Sequence, residues 1–150
     1  MSIRYFSFVV LAFAVFAAGC SDSPATPTSP SAGGGSLTLT SEQIAGNWTL
    51  SAIQVQGQAA QSAPAGATYT LSFADGRLST RADCNTCAGA FSLAGNTLSA
   101  GPALACTRAA CPTMAFESAY TRILSGEHSV ALSSNTLTLS SSRGVLSFSR

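Results

Sequence analysis

From residue 48 onward the apolar pattern is mostly period two, so each extended segment has one face to bury. Tyr69, Leu71 and Phe73 alternate with Thr70 and Ser72, and Leu137 and Leu139 flank Thr138. That period matches a β-strand, whose successive side chains point to opposite faces of the sheet. Segments of the same kind cover residues 48–55, 69–73, 77–82, 90–93, 97–100, 129–132, 137–139 and 145–149. Asp75-Gly76, Gly95-Asn96, Ser134-Asn135 and Arg143-Gly144 punctuate them, residues that accept the positive φ of tight hairpins. Such short links make sequence neighbours antiparallel partners. Within 48–55 the alternation changes phase between Ala52 and Ile53, which predicts a β-bulge.

One segment departs from this period. Phe116, Ala119, Tyr120, Ile123 and Leu124 fall at i, i+3, i+4, i+7 and i+8, one face of a helix. Thr113, after Pro112, is placed as its N-cap and Gly126 as its stop. A second short helix is expected over residues 41–45, ended by Gly46. The fold expected is mainly β: an antiparallel, barrel-like meander of about eight short strands with one α-helix packed on it, because closure removes exposed sheet edges.

Ahead of this domain, Arg4 precedes an apolar run over residues 5–18, interrupted by Ser7, that closes on Ala17-Ala18-Gly19-Cys20. The run is shorter than the roughly 20 residues a spanning helix needs, and small residues at its end mark a cleavage point. Residues 1–19 are therefore expected to be a signal peptide. The last four residues resemble the lipobox of bacterial lipoproteins. That resemblance implies a diacylglycerol on the Cys20 thiol, cleavage before it, and acylation of the new amine. The usual Leu three residues before the Cys is Ala17 here. More than one acyl chain anchors stably, since each buried methylene contributes about 0.8 kcal/mol. Ser21, rather than Asp, after the Cys implies sorting to the outer membrane. From Ser21 to about Ser36 the chain is Ser, Pro, Thr, Ala and Gly, with no large apolar side chain to offset ordering entropy. Residues 20–40 are thus expected to be a lipidated Cys and flexible tether, and 41–150 the folded domain, on the periplasmic face of the envelope.

Charge narrows the partners. Only 9% of residues are charged, and every base is Arg. Once Arg4 leaves with the leader, six Arg face six acids. A near-neutral surface lacks the basic stripe that phosphate backbones require, which excludes nucleic acid.

Four further cysteines form Cys84-x2-Cys87 and Cys106-x4-Cys111. A four-thiolate zinc site is one reading, though the second knuckle is longer than usual. A redox-active Cys84/Cys87 pair is another, but it ordinarily opens a helix, whereas Gly89 and a strand follow here. Two disulfides are the reading favoured by the oxidising compartment that the leader implies. The spacing leaves all three connectivities open. Bridges joining Cys84 to Cys111 and Cys87 to Cys106 would each contribute about 3 to 4 kcal/mol on the chain-entropy model, and local bridges about half that. The long-loop arrangement is thus the more useful staple.

These residues resemble the META domain, the HslJ-like family of bacterial envelope proteins. Gly46-Asn-Trp48-Thr-Leu50 looks like the family's opening G-x-W-x-L, and Leu71-Ser-Phe73-Ala-Asp75-Gly76-Arg77 like its strand and hairpin. Asp83-Cys84-Asn85 with Gly89 and Phe91 is similar to G-C-N followed by G-x-Y. Thr107-Arg108-Ala-Ala-Cys111-Pro112 is similar to T-R-M-A-C-P, and Glu117, Tyr120 and Leu124 to the helix beyond. The resemblance implies a barrel-like β domain with one helix. It makes Cys84 and Cys111 the family's common positions and leaves Cys87 and Cys106 as an additional matched pair. Asp83 replaces a Gly, so a left-handed backbone there would have to be tolerated by Asp. The family is linked to heat-shock response and antibiotic tolerance, with no agreed molecular activity.

No catalytic residue is expected. His128, Glu127 and a serine could be drawn as a triad, but no Gly-x-Ser-x-Gly elbow is present, and Glu127-His128 reads as a solvated loop. Asp75 reads as a turn residue and Glu117 as a first-turn helix acid, and no glycosidase-like carboxylate pair is visible. Trp48, within the formal sequon Asn47-Trp48-Thr49, reads as core. Arg108, between Cys106 and Cys111, reads as a donor to carbonyls of the stapled loop, with contact to a ligand as the other possibility. The function expected is a non-enzymatic, monomeric lipoprotein without metal or cofactor. It would hold the membrane through Cys20 and bind an envelope protein or a small apolar ligand, in an envelope stress response. The alternative is an inhibitor or chaperone-like protein acting on other envelope proteins. A ligand-binding barrel predicts an enclosed apolar cavity of roughly a few hundred cubic ångströms, and a chaperone a broad exposed apolar patch.

Overall fold

A computed structural model describes residues 38–150. The leader, the lipidated Cys20 and the tether expected from the sequence lie outside the described residues as far as residue 37.

Among the described residues nine strands form: β1 (Gly46–Val55), β2 (Tyr69–Ala74), β3 (Arg77–Ala82), β4 (Asn85–Ala94), β5 (Thr97–Ala100), β6 (Ala105–Cys106), β7 (Gly126–Ser133), β8 (Thr136–Ser141) and β9 (Gly144–Ser149). Helix α1 (Ser41–Ile44) precedes β1, and α2 (Met114–Leu124) lies between β6 and β7. Each strand pairs antiparallel with the next, β5 passing to β7, and β9 returns to β1. Eight strands therefore close into a barrel, and β6 is an addition. Ala90 accepts from the Gly101 N–H and Thr86 from the Thr107 N–H. Because alternate residues of a strand face one edge, β6 prolongs the line of β5 along that same edge of β4.

The hairpins follow from turn chemistry. Asp75 (φ 49°) and Gly76 (φ 70°) are both left-handed, the pair a tight primed turn demands. The bulge falls between Leu50 and Ala52, where Leu50 faces Phe148 and Ala52 faces Ser147, one residue earlier than the pattern indicated. Strand β4 is ten residues long and starts five residues earlier than expected. Its first half places Asn85, Cys87 and Gly89 inward, so no apolar alternation announces it.

The interior is filled. Trp48, Leu71, Leu78, Leu98, Leu137, Leu139, Leu146 and Phe148 are fully buried, and each such side chain contributes roughly 2 kcal/mol by leaving water. Helix α2 closes one end with Tyr120, Ile123 and Leu124, all fully buried. Tyr69 meets Phe116 and Tyr120 edge-on at 5.0 and 5.2 Å. The Tyr120 hydroxyl lies 2.6 Å from Thr80 Oγ1, which satisfies its polar end. Ile44 of α1 is buried where β1 begins, the opposite end of that strand. There the Trp48 indole donates to the Ile44 carbonyl at 2.8 Å, and the Arg150 guanidinium lies 4.3 Å above the Trp48 ring.

Two local expectations are corrected. Thr113 does precede α2, but its hydroxyl makes no capping bond; it donates to Asp83 Oδ2 at 2.6 Å and lies 3.1 Å from the Tyr69 hydroxyl. Glu127 and His128 are not loop residues. Strand β7 starts at Gly126, and His128 is an inward-facing strand residue only 1% exposed.

Candidate functional site: the stapled loop beside helix α2

Residues 107–113 connect β6 to α2 and are held from beneath by Asn85, the first residue of β4, 2% exposed. Its Oδ1 accepts from Thr107 Oγ1 at 2.9 Å and from the Ala109 N–H at 2.8 Å. Its Nδ2 faces the Ala109 carbonyl (3.0 Å), Cys111 Sγ (3.2 Å) and both carboxylate oxygens of Glu117 (3.0 Å each). One amide thereby fixes the loop and the first turn of α2 together. A buried polar group satisfied at every atom rigidifies its surroundings.

Two disulfides frame this loop, Cys84–Cys111 and Cys87–Cys106. Cys87 and Cys106 are direct cross-strand partners with Cα atoms 4.0 Å apart. The Thr86–Thr107 bonding places them at a non-hydrogen-bonded position, where side chains come closest. With their sulfurs in disulfides, none of these cysteines is a thiolate ligand, and no group of three His, Cys, Asp or Glu among the described residues could hold a metal ion. Asp83 (φ 57°) adopts the left-handed backbone, and its amide donates to the Thr68 carbonyl at 2.8 Å. Glu117 is the acceptor for Asn85 as well as a first-turn acid.

Arg108 stands on the outside of this framework. It is exposed, and among the described residues its guanidinium bonds to none of the loop's carbonyls, contrary to the structural role expected of it. A cleft of about 440 Å3 opens beside it, lined by Asn85, Arg108, Ala110, Met114, Glu117 and Thr121 among others. Met114 is 54% exposed at its rim. Larger clefts lie elsewhere on the domain. One of about 690 Å3 sits between α1, the β2–β3 hairpin and Phe91, and another of about 630 Å3 lies over β2, β3, β4 and β6.

The structure does not assemble a triad. His128 points inward and Glu127 outward from β7. The His128 Nε2 lies 3.0 Å from the Leu124 carbonyl, while Nδ1 is buried without a partner. Burial holds its pKa below the ordinary histidine value; the Leu124 carbonyl opposes that shift and the Arg143 charge adds to it. This buried histidine was missed because Glu-His beside a Gly carries the signature of a turn. Its place in the alternation, two residues before Val130, was the available signal. Burial likewise raises the pKa of Tyr69 and of Tyr120, so both stay protonated donors. No helix among the described residues is long and apolar enough to cross a membrane.

Comparison with solved structures gives the same fold. A protein from Burkholderia xenovorans, solved by NMR, shares 25% identity over 89% of this chain and 97% of its own, with a TM-score of 0.61. A second NMR structure shares 24% identity over 74% of this chain and 94% of its own, with a TM-score of 0.58. No curated protein matches. Comparison with protein families matches residues 29–150 to the META domain, and over that span this protein belongs to the META domain family.

Proposed function

We propose that this chain is a bacterial envelope lipoprotein, anchored through lipid on Cys20, whose META domain recognises a protein partner on its outer surface and catalyses no reaction. The observation that carries this reading is the filled barrel. Trp48, Tyr69, Phe73, Tyr120 and Phe148, each 2% exposed or less, occupy the space a small apolar ligand would need, and α2 packs its buried face against them at one end. Recognition then falls to the outside, where the Asn85 framework presents Arg108 on a loop that binding need not order and Met114 at the start of α2. Preorganisation of this kind lowers the entropic cost of association, and an exposed Arg beside an apolar side chain is a common anchor of protein interfaces. A short reach from the membrane, through the tether, suits a partner in the periplasm or outer membrane and a part in envelope stress.

The chaperone-like alternative has less support. Met114 is the exposed large apolar side chain among the described residues, whereas a client-binding surface needs a contiguous patch of several hundred square ångströms or more.

The test places a photo-crosslinking residue at position 108 or, as a control on the far wall, at 138, in the chain expressed in its own envelope. A defined adduct from 108 that is absent from 138, and is lost on Asn85→Ala, is the expected result. Mass spectrometry of the recovered chain should show the acyl mass on Cys20. A small molecule copurifying inside the barrel, with no adduct at 108, would overturn the reading.

A further inference from the structure

We infer that His128 is an acid-sensitive latch: protonation at its buried Nδ1 opens the contact between β7 and the last turn of α2. The last turn is held from two sides. The Leu124 carbonyl accepts from His128 Nε2 at 3.0 Å, and the Ser125 carbonyl accepts from the Arg143 guanidinium. A carbonyl can only accept, so Nε2 carries the ring's proton and Nδ1 is a bare lone pair. That lone pair is the buried side-chain nitrogen with no hydrogen-bond partner among the described residues, on a residue 1% exposed. A neutral ring tolerates this arrangement at moderate cost. A second proton can go only to Nδ1, where the new N–H meets no acceptor and a full charge sits out of water.

The surrounding groups do not compensate. From the β8–β9 turn Arg143 contributes a like charge. From α2 the charged residue of the last turn is Arg122, exposed and of the same sign, so it offers no compensation. Glu127, the neighbouring acid, projects outward and accepts from Ser99 Oγ of β5 at 3.4 Å. The remaining partner on β5 is Leu98, and β8 and β9 bring Leu139, Ser141 and Gly144, none of them charged. The helix C-terminus favours a cation, but over one turn only and weakly. The charged ring gains water only if the contact parts. Gly126 (φ 93°), just past the helix, supplies a joint there, whereas the other end of α2 is tied by Cys84–Cys111 and by Asn85 to Glu117. Opening would uncover Ile123 and Leu124, apolar surface otherwise sealed in the barrel mouth.

The test is amide hydrogen exchange by NMR on the full chain in detergent, between about pH 7.5 and about pH 5, corrected for intrinsic exchange, with the imidazole titration read in parallel. The expected result is that amides from Arg122 to His128 lose protection about tenfold or more, with the midpoint of the His128 ring, while Met114 to Glu117 stay protected. In His128→Gln, whose amide can still donate to Leu124, the pH response should vanish. Unchanged protection in the wild type, or an equal loss in His128→Gln, would overturn the latch. Should that variant not fold, the wild type decides alone: a midpoint of opening different from the ring's own titration rejects the proposal.

Discussion

The side-chain amide nitrogen of Asn85 lies 3.0 Å from both carboxylate oxygens of Glu117, which joins the first residue of β4 to the first turn of α2 across a sequence separation of 32. Replacing Asn85 by Ala strands the Ala109 N–H and carbonyl, the Thr107 hydroxyl and a half-buried carboxylate. Hydrogen bonds contribute about 0.5–1.5 kcal/mol each, and more when one partner is charged. Asn85→Ala should therefore destabilise by about 3 kcal/mol, seen as a lower urea midpoint with an unchanged slope. Asn85→Asp should cost at least as much at neutral pH, because two carboxylates then face each other.

The disulfides should not be redundant. Cys84–Cys111 spans 27 residues and Cys87–Cys106 spans 19, one nested within the other. Loop-closure entropy assigns about 3.5 kcal/mol to each. Cys87→Ser with Cys106→Ser, and separately Cys84→Ser with Cys111→Ser, should each lower the free energy of unfolding by about that amount. The Cys84/Cys111 variant should lose more, since it also frees the loop that Asn85 organises. Chemical unfolding of the two variants, each with its other bridge intact, measures the difference.

The barrel was legible wherever one side of a strand was apolar. Residues 69–73, 77–82 and 137–139 declare themselves because Tyr69, Leu78 and Leu139 alternate with hydroxyls, and Asp75-Gly76 can close only a tight turn. The first half of β4 was illegible because its inward residues are Asn85, Cys87 and Gly89, whose fit depends on contacts distant in sequence: a polar hub, a disulfide and a close approach. A Cβ on Gly89 would lie 2.8 Å from Leu104 Cδ2. The same limit applies to Thr113, whose neighbours in sequence indicate a cap while Asp83 and Tyr69, both remote, claim its hydroxyl. The composition of the loop singled out Arg108, but not that it would stand free of the carbonyls around it.

Stability should fall as the medium is acidified below the ordinary histidine range. Burial depresses the pKa of His128 in the folded state, while the unfolded chain takes up its proton near 6.5. The unfolded state then binds more protons between those two values, so folding is favoured fully above about pH 6.5 and loses up to about 1.4 kcal/mol per pH unit below it, until the native pKa is reached. His128→Gln should flatten this stretch of the profile. Urea unfolding at intervals between about pH 7.5 and about pH 5 checks it, and a wild-type profile as flat as the variant's would contradict the assignment.

Two glycines of the hairpins should respond very unequally to the same change. Gly144 opens β9 at φ 145°, opposite Val55, and a Cβ there would overlap the Gln54 carbonyl oxygen and press on Ile123 Cδ1 at 3.0 Å. The obstacle on one side is backbone held in the β1–β9 ladder and on the other a fully buried side chain, so neither can yield cheaply. Gly144→Ala should destabilise by about 2–4 kcal/mol through overpacking and backbone strain together. Gly95, in the β4–β5 turn at φ 60°, meets nothing within 4 Å. Gly95→Ala should cost only the left-handed conformation, about 1 kcal/mol, partly offset by a less flexible unfolded chain. Thermal unfolding of both variants separates the terms: equal losses would mean that the approach of β1 to β9 at Gly144 is looser than its geometry requires.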